Sequence, residues 1–114
     1  MNKLKLEIFN NGECIEVFEN IPFEQKHEFI YFNINDTKYF FYQNLLTFSY
    51  LTQEEKVKMN FRDKIVTITL LQSNYTLEIK INKFKHEFTE KTYKITYILD
   101  SERDVEKTFL ITLS

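Results

Sequence analysis

The sequence predicts an all-β domain, a small antiparallel β-barrel or barrel-like sandwich of about eight to ten short strands with little or no helix. Three observations predict it. Apolar residues recur at every second position through nearly the whole chain, the spacing of half-buried strands. The apolar segments are short and separated at regular intervals by polar clusters. Asn and Asp recur in those clusters, as they must in a chain of 114 residues with one Gly and one Pro.

Leu4, Leu6 and Ile8 alternate with Lys3, Lys5 and Glu7. Asn10-Asn11-Gly12 follows, and Asn-Gly between alternating segments is the strongest short hairpin signal. Ile15 and Val17 flank Glu16. The pattern breaks around Asn20 to Gln25, where Pro22 marks a loop. Ile30, Phe32 and Ile34 then form one side of a strand whose other side carries Phe29 and Tyr31. Asn35-Asp36 turns, and Tyr39 to Tyr42 and Leu45 to Leu51 make two further strands, divided near Gln43-Asn44. From Phe29 to Tyr50 the chain is thus apolar on both strand faces, which is normal for strands covered on both sides.

Clean alternation resumes with Val57, Met59 and Phe61 against Lys56, Lys58 and Arg62. Val66, Ile68 and Leu70 follow the Arg62-Asp63 turn, Leu77, Ile79 and Ile81 follow Ser73-Asn74, and Phe84, His86 and Phe88 continue. Tyr93 to Leu99 is a strand, Asp100 to Asp104 turns, and Val105 to Leu113 is the last strand. The apolar rows, including Tyr97, Phe109 and Ile111, are expected to point inward. One helical turn at most fits Thr52 to Lys58, where Thr52-x-x-Glu55 has the form of a capping box.

The length is that of one domain, residues 1–114, with a core that needs no disulfide or metal to fold. A single cysteine, Cys14, excludes an intramolecular disulfide and, with no apolar leader, points to a reducing, cytoplasmic setting. The longest uncharged stretch, residues 39–53, is too short and too polar for a membrane helix. The net charge of −2 argues against a nucleic-acid partner, which needs a basic face. Lysine outnumbers arginine, present only as Arg62 and Arg103, and with abundant Asn, Ile and Phe this suggests an AT-rich bacterial genome.

Catalytic motifs are lacking. A glycine-rich phosphate loop needs more than one Gly, and a Cys/His zinc site needs more than one Cys and two distant His. Cys14 beside a tight hairpin reads as a small strand residue, not a nucleophile. The carboxylates scatter over outward strand positions and turns, with no pair set in one cleft. The expectation is a protein that is not an enzyme and has no cofactor or metal.

The order of strands resembles the YwiB-like family, small bacterial β-barrel proteins of calycin (lipocalin-like) type. The resemblance lies in Tyr75 to Ile81 leading into Lys83-Phe84-Lys85, in Tyr93 to Leu99, in Thr108 to Leu113, and in a central hairpin over Ile34 to Tyr42. It implies a calycin-like barrel and no catalytic residues. This chain departs from the family in its single Gly and in the short Gln72-Ser73-Asn74 turn, which implies a smaller barrel or one open on one side.

These readings predict a non-enzymatic barrel that binds a small apolar ligand in its interior or mouth. The alternative is a protein-interaction or self-association domain, such as a homodimer, using an exposed aromatic sheet face. One face of a strand suffices to build a core, so the second apolar face of Phe29 to Tyr50 must meet something else. Tyrosine suits such a boundary, with an apolar ring and a hydroxyl that can stay wet. Tyr31, Tyr39, Tyr42 and Tyr50 are therefore the candidate binding residues, with His86, between Phe84 and Phe88, as an addition.

Overall fold

The computed structural model describes residues 2–114. Ten strands follow one another: β1 (Lys3–Asn10), β2 (Glu13–Gln25), β3 (Ile30–Ile34), β4 (Thr37–Tyr42), β5 (Thr47–Leu51), β6 (Glu55–Asn60), β7 (Ile65–Leu70), β8 (Tyr75–Phe88), β9 (Thr92–Leu99) and β10 (Glu106–Leu113). There is no helix among the described residues. All pairings are antiparallel, and their order is cyclic, β1-β10-β9-β8-β7-β6-β5-β4-β3-β2, that of a closed barrel.

The turns are made as the composition requires. Asn11 and Gly12 have φ of 49° and 81°, and Asn35 and Asp36 have 48° and 66°. These left-handed pairs match the twist of the flanking strands in two-residue hairpins. Asn74 is also left-handed, and so are Leu46 and Lys64, which have no side-chain amide to favour that conformation.

The chain divides into two compact units, Met1–Pro22 with Ile81–Ser114, and Phe23–Lys80. Two strands supply segments to both. β2 pairs with β1 through residues 13–22 and with β3 through residues 23–25. β8 pairs with β7 through residues 75–80 and with β9 through residues 81–88. The expectation of a loop at Pro22 is corrected here: Pro22 lies inside β2, opposite Lys3, at the last pairing with β1. A proline is tolerated where the ladder no longer needs its N–H. In β8, the apolar phase moves from odd positions up to Ile81 to even positions from Phe84. That slip is a β-bulge, since Ile81 faces Leu99 and Lys83 faces the next residue back, Ile98.

In the first unit the sheet runs β2, β1, β10, β9, β8. Leu4, Leu6, Ile95 and Ile111 are almost wholly buried, with Tyr93, Tyr97 and Phe109 beside them. Register sets Leu6 opposite Ile111, and Ile111 opposite Tyr93. On the other face of β9 and β10, Thr96 and Thr108 are cross-strand partners, both buried, with hydroxyls 3.0 Å apart. Each hydroxyl satisfies the other. Thr108→Val alone is expected to cost about 1–3 kcal/mol by stranding the Thr96 hydroxyl, and the double change with Thr96→Val is expected to cost less than the sum. A double-mutant cycle by chemical denaturation measures the difference, and additive losses would contradict the pairing.

In the second unit the packed face carries Ile30, Phe32, Ile34, Phe41, Phe48, Val57, Met59, Phe61 and Val66, all buried. Phe32 stacks on Tyr39 at 4.9 Å, and Phe41 meets Phe48 edge-on at 6.3 Å. Two expected core positions are corrected: Leu70 and Leu77 are 43% and 47% exposed. Leu70 pairs with Tyr75 at the last step before the turn. Leu77 lies where β8 has a neighbour, β7, on one side only, so its row loses cover there. Ile8, Ile68 and Ile79, expected to point inward as well, are partly buried. The single helical turn that the sequence allows at most over Thr52 to Lys58 does not form, in keeping with the strand spacing there. The Thr52 hydroxyl accepts from the N–H groups of Glu54 and Glu55, as a cap would, but Thr52 N–H donates to the Glu55 carbonyl and β6 begins at Glu55. The capping signal and the turn signal use the same side-chain acceptor, and the alternation of Val57, Met59 and Phe61 decides between them.

Candidate ligand groove on the outer face of β4 to β6

Alternation that turns Tyr39 and Phe41 to the packed face turns Lys38, Phe40 and Tyr42 to the opposite, outer face. The register then assembles cross-strand rows on that outer face. Phe40 faces Ser49, which faces Lys58; Lys38 faces Leu51, which faces Lys56; Tyr42 faces Thr47, which faces Asn60. A groove of about 420 Å³ runs over these rows, lined by Phe40, Tyr42, Leu45, Thr47, Ser49, Tyr50, Leu51, Lys56 and Lys58. That volume falls in the range of small-molecule sites.

Aromatic rings form one wall. Phe29 lies 5.0 Å from Tyr42 and 5.9 Å from Phe40, and Tyr31 lies 5.0 Å from Phe40. Asn33 donates its side-chain amide to the Tyr31 hydroxyl at 2.9 Å, which holds the ring over Phe40. The floor is β5, whose outward Thr47 and Ser49 are small enough to leave a depression between larger neighbours. Thr47 is itself buried and its hydroxyl donates to the Leu45 carbonyl. The turn carrying Leu45 is tied down by Arg62, which donates to the Asn44 carbonyl at 2.9 Å. The far wall is cationic. Lys56 and Lys58 have no carboxylate within ion-pair distance among the described residues, whereas Lys5, Lys26 and Lys107 do. Adjacent strands are about 4.8 Å apart, so the wall of Phe40 and the wall of Lys58 are separated by about 10 Å along the sheet.

The four candidate tyrosines divide between the two faces. Tyr31 and Tyr42 lie on the outer face, in the aromatic wall. Tyr39 and Tyr50 lie on the packed row, 5.9 Å apart between ring centroids, although Tyr50 also borders the groove. His86 belongs to the other unit. It is exposed, between Phe84 at 6.1 Å and Phe88 at 4.8 Å, and is not part of the groove lining. Sequence reasoning misses Phe40, Thr47, Ser49, Leu51, Lys56 and Lys58 as site residues. Their shared parity with Tyr42, carried across the hairpins by the turn positions, is the signal that could have found them.

Burial raises the Tyr50 phenol above its ordinary pKa near 10, and the charges of Glu55 and Tyr39 add to the rise. The folded state therefore holds this proton more tightly than the unfolded chain. Stability from this group is complete below pH 10 and is lost as pH rises through the folded pKa. Tyr50→Phe is expected to flatten the fall in stability above about pH 10, measured by urea denaturation in alkaline buffers. An unchanged slope would contradict the shift.

Among the described residues no cluster of three or more His, Cys, Asp or Glu could hold a metal ion. No helix among them is long and apolar enough to cross a membrane. No protein-family model, no curated protein and no solved structure matches the chain.

Proposed function

We propose that this is a non-enzymatic ligand-binding domain whose ligand is a small, flat, largely apolar molecule bearing one anionic group, held in the outer groove of β4 to β6. The observation that carries the reading is the pairing of an aromatic wall with two uncompensated lysines across a floor of small hydroxyl residues. The apolar body lies against Phe40 and Tyr42, while the anionic group reaches Lys56 or Lys58 and accepts a hydrogen bond from Ser49. A lysine offers such a group a charge-assisted hydrogen bond that a neutral isostere cannot use. The packed face of the same unit is occupied by Phe32, Phe41, Phe48 and Phe61, which supports the outer face over the interior as the place of binding. A calycin-type, bacterial, cytoplasmic identity belongs to the same proposal, and the exposed, unpaired Cys14 accords with a reducing compartment.

The test compares matched pairs such as 2-naphthoic acid and 2-naphthamide by quenching of tyrosine fluorescence. The acid is expected to bind at least about tenfold more tightly, the worth of one charge-assisted hydrogen bond. Equal affinity for acid and amide, or no binding of either, would overturn the reading.

A further inference from the structure

The two strands shared between the units differ from the other eight in exposure. Ten of the 13 residues of β2 and ten of the 14 of β8 are exposed, whereas no other strand has more than two exposed residues. In the first unit they are the end strands of the sheet, since residues 13–22 pair with β1 alone and residues 81–88 with β9 alone among the described residues. An end strand offers main-chain groups to any strand that can lie beside it, and its side-chain charges decide which strands those are.

The charges of the two margins are opposite. Residues 13–22 carry Glu13, Glu16 and Glu19 and no cation, with Ile15 and Val17 exposed between them. Residues 81–88 carry Lys83 and Lys85, against Glu87. One of these carboxylates is partly compensated, Glu19 by Lys5 at 4.0 Å, while Glu13, Glu16, Lys83 and Lys85 form no ion pair among the described residues. Like margins brought together set charges of one sign side by side, which cross-strand pairing penalises, whereas unlike margins set Glu against Lys.

We infer that the chain self-associates head to tail, the acidic margin of β2 in one copy adding to the basic margin of β8 in the next. The occupant of each margin is thus a second copy of this chain. Interfaces of this kind are heterologous and build rings or open filaments, according to whether the rotation between copies closes. The inference is independent of the groove, which lies on other strands.

Sedimentation velocity over a range of protein concentrations tests it with two charge reversals, Glu16→Lys with Glu19→Lys, and Lys83→Glu with Lys85→Glu. The wild-type chain is expected to grow beyond the monomer as concentration rises, and to return toward it at about 1 M salt, where the screening length is about 3 Å. Each reversal alone is expected to give a monomer, while an equimolar mixture of the two, which restores unlike margins, assembles again. Circular dichroism checks that each variant is folded. Amide exchange on the wild type provides a second reading that needs no variant, with protection growing with concentration at residues 13–19 and 83–87. A wild-type chain that stays monomeric at every concentration would overturn the inference. So would assembly that survives both reversals, or assembly that the β2 reversal abolishes and the β8 reversal leaves intact.

Discussion

Replacing Phe61 by alanine is expected to destabilise the protein by about 3–5 kcal/mol, the range for removing a fully buried aromatic side chain. Phe61 is wholly inaccessible to solvent, although it lies just beyond β6 and not within a strand. Its place is determined twice. It continues the apolar row of Val57 and Met59, and its N–H donates to the Leu46 carbonyl at 3.0 Å, which fixes the chain as it leaves the strand. The surrounding β-ladders leave little room to collapse around the missing ring, so the cost includes a cavity as well as lost burial. A loss of that size is a large share of the stability of a small domain, about 5–15 kcal/mol. Leu77→Ala, on a row of the same kind but 47% exposed, is the comparison, with an expected loss below about 1 kcal/mol. Denaturant midpoints for the two variants check both values. Similar losses at the two positions would show that stability does not follow burial along these rows.

Reversing both cationic groups of the groove, Lys56→Glu with Lys58→Glu, is expected to weaken an anionic ligand by about 1.5–3 kcal/mol for each charge-assisted hydrogen bond removed, roughly tenfold to a hundredfold. Stability should change little, because both lysines are exposed on the outer face and neither is in an ion pair among the described residues. Phe40→Ser in the opposite wall should weaken acid and neutral isostere alike, since it removes apolar surface and no charge. The two variants therefore separate the two halves of the recognition. A fluorescence titration with 2-naphthoic acid and 2-naphthamide checks both, and a lysine reversal that leaves the preference for the acid unchanged would count against the groove.

The strands were legible in the sequence because period-2 alternation reports directly on which face is buried. Val57, Met59 and Phe61 illustrate it, and all are buried. The turns were legible wherever Asn, Asp or Gly supplies a left-handed residue, as at Asn11-Gly12 and Asn35-Asp36. Leu46 shows the limit, because a leucine at φ 50° carries no turn signal, and the strand expected from Leu45 begins instead at Thr47. Pro22 and the slip between Ile81 and Phe84 show another. Pro22 reads as a loop and the slip carries no turn signal, yet both lie in long strands that change partners there. A bulge or proline breaks the local pattern without breaking the strand, because the new partner supplies hydrogen bonds that local sequence does not encode.

Exposure at the ends of rows was equally hidden. Leu70 and Leu77 have the same spacing as Val66 and Ile79, and only the position of β8 at the end of its sheet uncovers Leu77. For the groove, the excess of aromatic residues between Phe29 and Tyr50 pointed to the stretch that supplies the aromatic wall. It did not distinguish Tyr39 and Tyr50 on the packed row from Tyr31 and Tyr42 on the outer one. That distinction depends on register, and so does the approach of Lys56 and Lys58, which lie on a strand outside the aromatic stretch.

The proposed ligand lies on the outer face of β4 to β6. Amide chemical-shift mapping during a titration with 2-naphthoic acid tests it most directly. Saturable shifts are expected at Phe40, Tyr42, Thr47, Ser49, Lys56 and Lys58, and they disappear in the Lys56→Glu, Lys58→Glu protein. Shifts concentrated instead on the packed row, at Phe32, Phe41 and Val57, or at His86, would contradict it.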